Sequence, residues 1–131
     1  MLSQEGAYAP SAVYSHELIK AVVAYGKERG IRVVPEFDMP GHAYSWGKGY
    51  PDLVVDCPDY NSNINNVPLN PTLTSTYTML ASFIPEMAKL FTDDCFHIGG
   101  DEVVFGCWED NAQVTAWMQQ NGLDAVGTLQ Y

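Results

Sequence analysis

Apolar positions first recur at helical spacing along Leu18, Ile19, Val22 and Val23, which fall on one face of a helix. Ser15 stands where an N-cap is needed, Lys27 and Arg29 fall in the last turn, and Gly30 supplies the stop. Ile31 to Phe37 follows as a short apolar run rich in β-branched residues, the pattern of a strand buried on both faces of a parallel sheet. Pro35 removes one ladder hydrogen bond, so the pairing is expected to give way near it. From Pro51 to Pro71 turn-forming residues predominate and one long loop is predicted. Asn70 is then read as the cap of a second helix with Pro71 at its first position. Its face carries Leu73, Tyr77, Leu80, Ile84, Met87 and Phe91. Cys95 to Ile98 predicts a second short buried strand, and a third helix starts at Asp110, with Val114, Trp117 and Met118 on one face and Asn121-Gly122 at its end.

Helix, strand, loop, helix, strand, loop, helix is the order of a parallel α/β protein with right-handed crossovers. No repeat or linker divides residues 1–131, so a single domain is expected. Two strands do not make such a sheet alone. An eight-stranded (β/α)8 barrel takes about 250 residues, and on that architecture the chain holds about two βα units.

Composition narrows the partners. Hydrophobic residues make up 47% of the chain, enough for a core, yet no apolar run approaches the length of a membrane span. Residues 1 to 20 lack the basic start and continuous apolar stretch of a signal peptide. A net charge of -10, with only six Lys and Arg and no basic stripe, repels phosphate backbones and argues against nucleic acid. A neutral or cationic substrate such as a carbohydrate suits this field. Cys57, Cys95 and Cys107 show no C-x-x-C spacing, which argues against structural zinc and leaves one disulfide plus one free thiol open.

The candidate chemistry lies just beyond the predicted strands, at the ends where parallel α/β folds build their sites. In His97-Ile98-Gly99-Gly100-Asp101-Glu102-Val103, two glycines let the backbone turn and a ligand approach before two adjacent acids. Neighbouring carboxylates can divide the work between a protonated and an ionised acid, although a solvated loop pair is the plainer reading. The first strand ends in Glu36-Phe37-Asp38-Met39-Pro40-Gly41-His42. Here His42 can orient a carboxylate or shuttle a proton. The plainer alternatives make His42 a turn residue and Asp38 an Asx-turn residue.

These two segments closely resemble the third and fourth strands of glycoside hydrolase family 20, the β-N-acetylhexosaminidases, and the resemblance runs from about Gly6 to Trp117. It implies that residues 1–131 are part of the family's catalytic (β/α)8 TIM barrel, around strands 3 and 4. The implied activity is exo-hydrolysis of terminal, non-reducing β-linked N-acetylhexosamine (GlcNAc or GalNAc), retaining and substrate-assisted. Glu102 is similar to the family's general acid/base. Asp101 is similar to the acid that orients the substrate's 2-acetamido group, whose carbonyl oxygen attacks the anomeric carbon to form an oxazolinium, an exception to the usual two-carboxylate scheme. Asp38 and His42 resemble a pair that supports the acid/base residue. Cys57 and Cys107 resemble a disulfide of animal lysosomal members, which would leave Cys95 free and buried.

The implied partners are N-acetylhexosaminides of glycans, glycolipids or chitin oligomers, with no cofactor and no metal. For the parent protein the resemblance implies a dimer and a lysosomal or extracellular location, reached through an oxidising compartment. The pattern is incomplete: the family's upstream arginine, its downstream tyrosine and aspartate and its pocket tryptophans have no counterparts here. A catalytically inactive, sugar-binding or truncated fragment is therefore the alternative. A metal-dependent hydrolase built on His42, His97, Asp38 and Asp101 is a further alternative, disfavoured because no two histidines share a ligand spacing. Trp46, Trp108 and Trp117 invite a sugar-stacking role, but the spacing of Trp117 with Val114 and Met118 points to helix core.

Overall fold

The computed structural model describes residues 2–60, 63 and 67–130. The α-helices among the described residues are α1 (Leu2–Glu5), α2 (His16–Lys27), α3 (Tyr44–Gly49), α4 (Thr74–Ala88), α5 (Phe105–Glu109) and α6 (Ala112–Gln120). Helix α2 begins where its cap predicts, with the Ser15 hydroxyl accepting the Leu18 N–H at 3.1 Å. It ends through Gly30, whose φ of +70° turns the chain so that Ile31 N–H returns to the Gly26 carbonyl at 2.9 Å. Helix α6 is capped by Asn111, one residue beyond the expected start. Its side chain accepts the N–H groups of Gln113 and Val114.

The second predicted helix starts later than its sequence signals suggest. Asn70 is buried and its side-chain oxygen accepts from both the N–H and the hydroxyl of Thr72. Its cap chemistry is thus used in a turn, and α4 opens at Thr74 with Leu73 as an N-cap without a side-chain bond. The two predicted strands shrink to one parallel bridge, Glu36↔His97, flanked by hydrogen bonds from Phe37 N–H to His97 O, His97 N–H to Pro35 O and Met39 N–H to Ile98 O. Burial on both faces is also corrected: Ile31 is 59% and Ile98 54% exposed. A parallel strand is covered only when neighbouring strands and crossover helices flank it, and no further strand pairs with this couple among the described residues. Arg32 and Asp93 clamp the couple with two hydrogen bonds of 2.6 and 2.7 Å, and that contact holds the Asp93 carboxyl down at about 2.

Residues 61, 62 and 64–66 of the predicted long loop lie outside the described residues, and the rest of it proves to be a packing element. Two 3-10 turns, Pro51–Leu53 and Pro58–Tyr60, and an antiparallel bridge Val54↔Leu69 fold it back on itself. One apolar cluster joins its Val55 and Cys57 to Cys107 and Trp108 of α5 and to Val114 and Met118 of α6. A second joins Leu53 and Leu69 to Ala43 and Trp46, with Phe37, Met79 and Phe83 packed against it. The disulfide Cys57–Cys107, 5.4 Å between Cα atoms, ties the loop to α5.

Candidate functional site

The site is assembled by pinning two turns against each other. Beyond Phe37, the first turn is held by Met39 N–H on Ile98 O and by two bonds from the folded loop, Leu69 N–H to Pro40 O at 2.8 Å and Ala43 N–H to Val67 O at 3.0 Å. Trp108, fully buried, donates its indole N–H to the Leu69 carbonyl at 3.0 Å and so fixes the support from behind. The second turn passes through Gly99 and Gly100, with φ of +68° and +119°. His42 and Glu102, one in each turn, hold φ of +52° and +51°, a region that non-glycine residues seldom occupy.

Side chains from the two turns form a continuous string. Asp38 Oδ1 accepts the Gly100 N–H at 2.9 Å, its Oδ2 makes a short hydrogen bond with His42 Nδ1, and His42 Nε2 stands 3.4 Å from Glu102 Oε2. The string runs outward: the Asp38 and His42 side chains are 20% and 24% exposed, whereas that of Glu102 is 77% exposed. Partial burial pushes the Asp38 carboxyl up, but the hydrogen bonds from His42 and the Gly100 amide outweigh it and hold it below its ordinary value. The same bond from Asp38, helped by the charge of Asp101, raises His42 against the opposing effect of burial. Because Nδ1 donates its hydrogen bond to the Asp38 carboxylate, the other ring nitrogen and Glu102 have one proton to share between them. A neutral ring accepts from a protonated Glu102, and a cationic ring donates to an ionised one. Asp101 lies beside them, and the polar atoms of Asp38, His42 and Asp101 fall within 4.8 Å of one another.

Over residues 1–131 the chain matches the description Glycosyl hydrolase family 20, catalytic domain. The chain belongs to glycoside hydrolase family 20. This family-20 chain is 50% identical over 127 residues to Beta-hexosaminidase subunit A1 of Dictyostelium discoideum, covering 97% of this chain and 24% of that protein. To the human Beta-hexosaminidase subunit beta it is 45% identical over 122 residues, covering 92% of this chain and 22% of the relative. The chain thus spans about a quarter of the length of these relatives. Among solved structures, the Flavobacterium johnsoniae chitobiase superposes with a TM-score of 0.79 at 30% identity, over 93% of this chain and 19% of that one. A β-N-acetylhexosaminidase of Bacteroides fragilis gives a TM-score of 0.78 at 30% identity, over 98% and 26%.

Other sequence-designated residues of the family-20 chain lie elsewhere. His97 points away from the cluster, toward Glu36 at 3.6 Å, and its Nδ1 accepts the Gly99 N–H. Of the four residues in the metal grouping, Asp38, His42 and Asp101 meet and His97 stands outside. Trp46 and Trp108 are buried in the two apolar clusters and Trp117 packs against one of them, which removes a stacking role for the first two and agrees with helix core for the third. Cys95 is exposed rather than buried, and Arg32 donates to its sulfur at 3.3 Å. A cavity of about 670 Å³ among the described residues lies apart from the acids, between α1, α2 and α4, and is lined by Ile19, Trp46, Phe83 and Leu90. Asp101 and Glu102 stand on an open surface.

Sequence reasoning missed the amide of Gly100 as a partner of Asp38, and the folded loop as the support of the first turn. The double glycine signalled the former. For the latter, the alternating apolar Leu53, Val55 and Cys57 were the available signal, masked by the prolines and aspartates around them.

Proposed function

We propose that this chain is the part of a β-N-acetylhexosaminidase barrel that carries its acid/base centre. The parent enzyme removes terminal, non-reducing β-linked N-acetylhexosamine from glycans, glycolipids or chitin oligomers. Glu102 protonates the glycosidic oxygen as the bond to the leaving group breaks. Asp101 orients the 2-acetamido group so that its carbonyl oxygen attacks the anomeric carbon, and an ionised carboxylate there offsets the positive charge of the oxazolinium. Water then opens that ring with Glu102 accepting its proton, so the anomeric configuration is retained. Asp38 holds His42 in one tautomer, and the ring passes that order on to Glu102.

The observation that carries this reading is the unbroken string Asp38–His42–Glu102 with Asp101 beside it, found in a chain of this family. A (β/α)8 barrel, with the bridged couple as two adjacent strands, accounts for the exposed Ile31, Val34 and Ile98. A parent protein in the lysosome or outside the cell is consistent with the Cys57–Cys107 disulfide.

A second reading, that the 131-residue chain alone is inactive, is favoured by the exposure of Glu102 and by the quarter-length match to its relatives. A general acid functions best in a water-poor pocket, and here the pocket walls belong to other parts of the parent barrel. Release of a chromophore from an aryl N-acetyl-β-glucosaminide separates the two readings. In the parent barrel, Glu102→Gln is expected to lower turnover by roughly 10²–10⁴-fold; undiminished turnover there would remove Glu102 from the mechanism.

A further inference from the structure

We infer that Gly99 is a positioning residue for the acid/base centre: the volume left by its missing side chain is the seat of the Asp38 carboxylate, from which Asp38 holds His42 toward Glu102. A Cβ built on Gly99 falls inside that carboxylate and lies 2.8 Å from Asp38 Cα. The amide of the next residue, Gly100, donates to Asp38 Oδ1, so the turn both vacates the space and supplies a bond within it. The exchange is reciprocal. In the other turn, a Cβ on Gly41 would stand 3.1 Å from the Asp101 carbonyl oxygen and 3.6 Å from Val103 Cα. Each turn thus gives up side-chain volume to the acid-bearing backbone or side chain of the other, and the two motifs are fixed at one separation.

This goes beyond backbone freedom. Gly30 and Gly122 hold nearly the same φ, +70° and +66°, but a Cβ on either meets nothing within 4 Å. Alanine at all three positions carries a similar conformational penalty, and at Gly99 alone it also displaces a carboxylate. The seat rests on the geometry of the two turns, while its consequence for turnover rests on Glu102 being the acid/base residue.

The test follows the imidazole signals of the 131-residue chain by NMR across pH, with His42 assigned by His16→Gln and His97→Gln variants. His42 is faced by Asp38, Asp101 and Glu102, and its midpoint in the native chain is expected above 6.5. Gly99→Ala is expected to return it toward 6.5, Gly122→Ala to leave it in place, and Gly99→Ala added to Asp38→Asn to change nothing further. An unmoved midpoint in Gly99→Ala, an equal movement in Gly122→Ala, or a further movement beyond Asp38→Asn overturns the inference. Should Gly99→Ala unfold too readily to titrate, melting temperatures decide. Asp38→Ala lowers the melting temperature of the native chain but raises that of Gly99→Ala if the carboxylate is what the new methyl strikes, and a fall in both overturns the inference. A sensitive His42 in a parent barrel without turnover would sink the glycosidase reading alone, and an insensitive one in an active barrel would sink only the seat.

Discussion

Breaking the Cys57–Cys107 disulfide should cost the chain a large part of its stability. The bridge closes a loop of 50 residues, and both cysteines are buried in one apolar cluster. Chain-entropy reasoning gives an unfolded-state restriction of about 4 kcal/mol for a loop of that length. At the usual unfolding entropy per residue, a chain of 131 residues loses roughly 15 °C in melting temperature for about 4 kcal/mol. Far-UV circular dichroism on heating, with and without dithiothreitol, measures the difference directly. A Cys57→Ala/Cys107→Ala chain should melt near the reduced native chain and be insensitive to reductant, whereas Cys95→Ala, which changes an exposed free thiol, should leave the melt within about 2 °C of the native one. A fall of less than about 4 °C on reduction would refute the reasoning. It would mean that Val55, Trp108 and Val114 hold the loop to α5 without the covalent bond.

Trp108→Ala removes a fully buried indole and leaves the Leu69 carbonyl without its hydrogen bond; a loss of about 3–5 kcal/mol is expected in denaturant unfolding, and a loss below about 1 kcal/mol would show that Trp108 is not core. The Asp38–His42 pair gives stability a defined pH window. His42 is raised, so its contribution is complete below 6.5 and fades as pH climbs through the folded value; Asp38 is lowered, so its contribution is complete above 3.8 and fades as pH falls through the folded value. The stability difference between the native chain and Asp38→Asn should therefore be largest between 3.8 and 6.5, and a difference that is flat from pH 3 to 9 in urea titrations would contradict the pairing.

What was legible in the sequence was what short segments decide for themselves. Ser15, Lys27 and Gly30 lie within one helix and its flanks, so α2 could be placed closely. Asn70 carries an equally good cap signal, but a side chain that bonds its own neighbour two residues on serves a turn as well as a helix, and here Thr72 wins. The described part of the loop from Pro51 to Leu69 was opaque for a different reason: its apolar residues are answered by α5, α6 and the first turn, all outside the loop itself. The two acidic motifs were readable as strings and their residues do meet. Their geometry was not readable, because nothing local in His42 or Glu102 announces a left-handed backbone.

The parallel bridge also bears on the order in which the chain folds. Its clamp Arg32–Asp93 and the Asp38–Gly100 bond join residues 61 and 62 positions apart. Bringing such ends together costs roughly 4 kcal/mol of chain entropy before any contact rewards it, while α2 needs only neighbours within four residues. Pulse-labelled hydrogen exchange during refolding should find the amides of α2 protected before those of Phe37 and Gly100, and the opposite order would count against this sequence of events. The acids therefore acquire their spacing late. Slow, long-range closure then exposes the glycine-rich turn to solvent for longer than any helix, and a nascent chain is most open to misfolding at the place where its two acidic motifs meet.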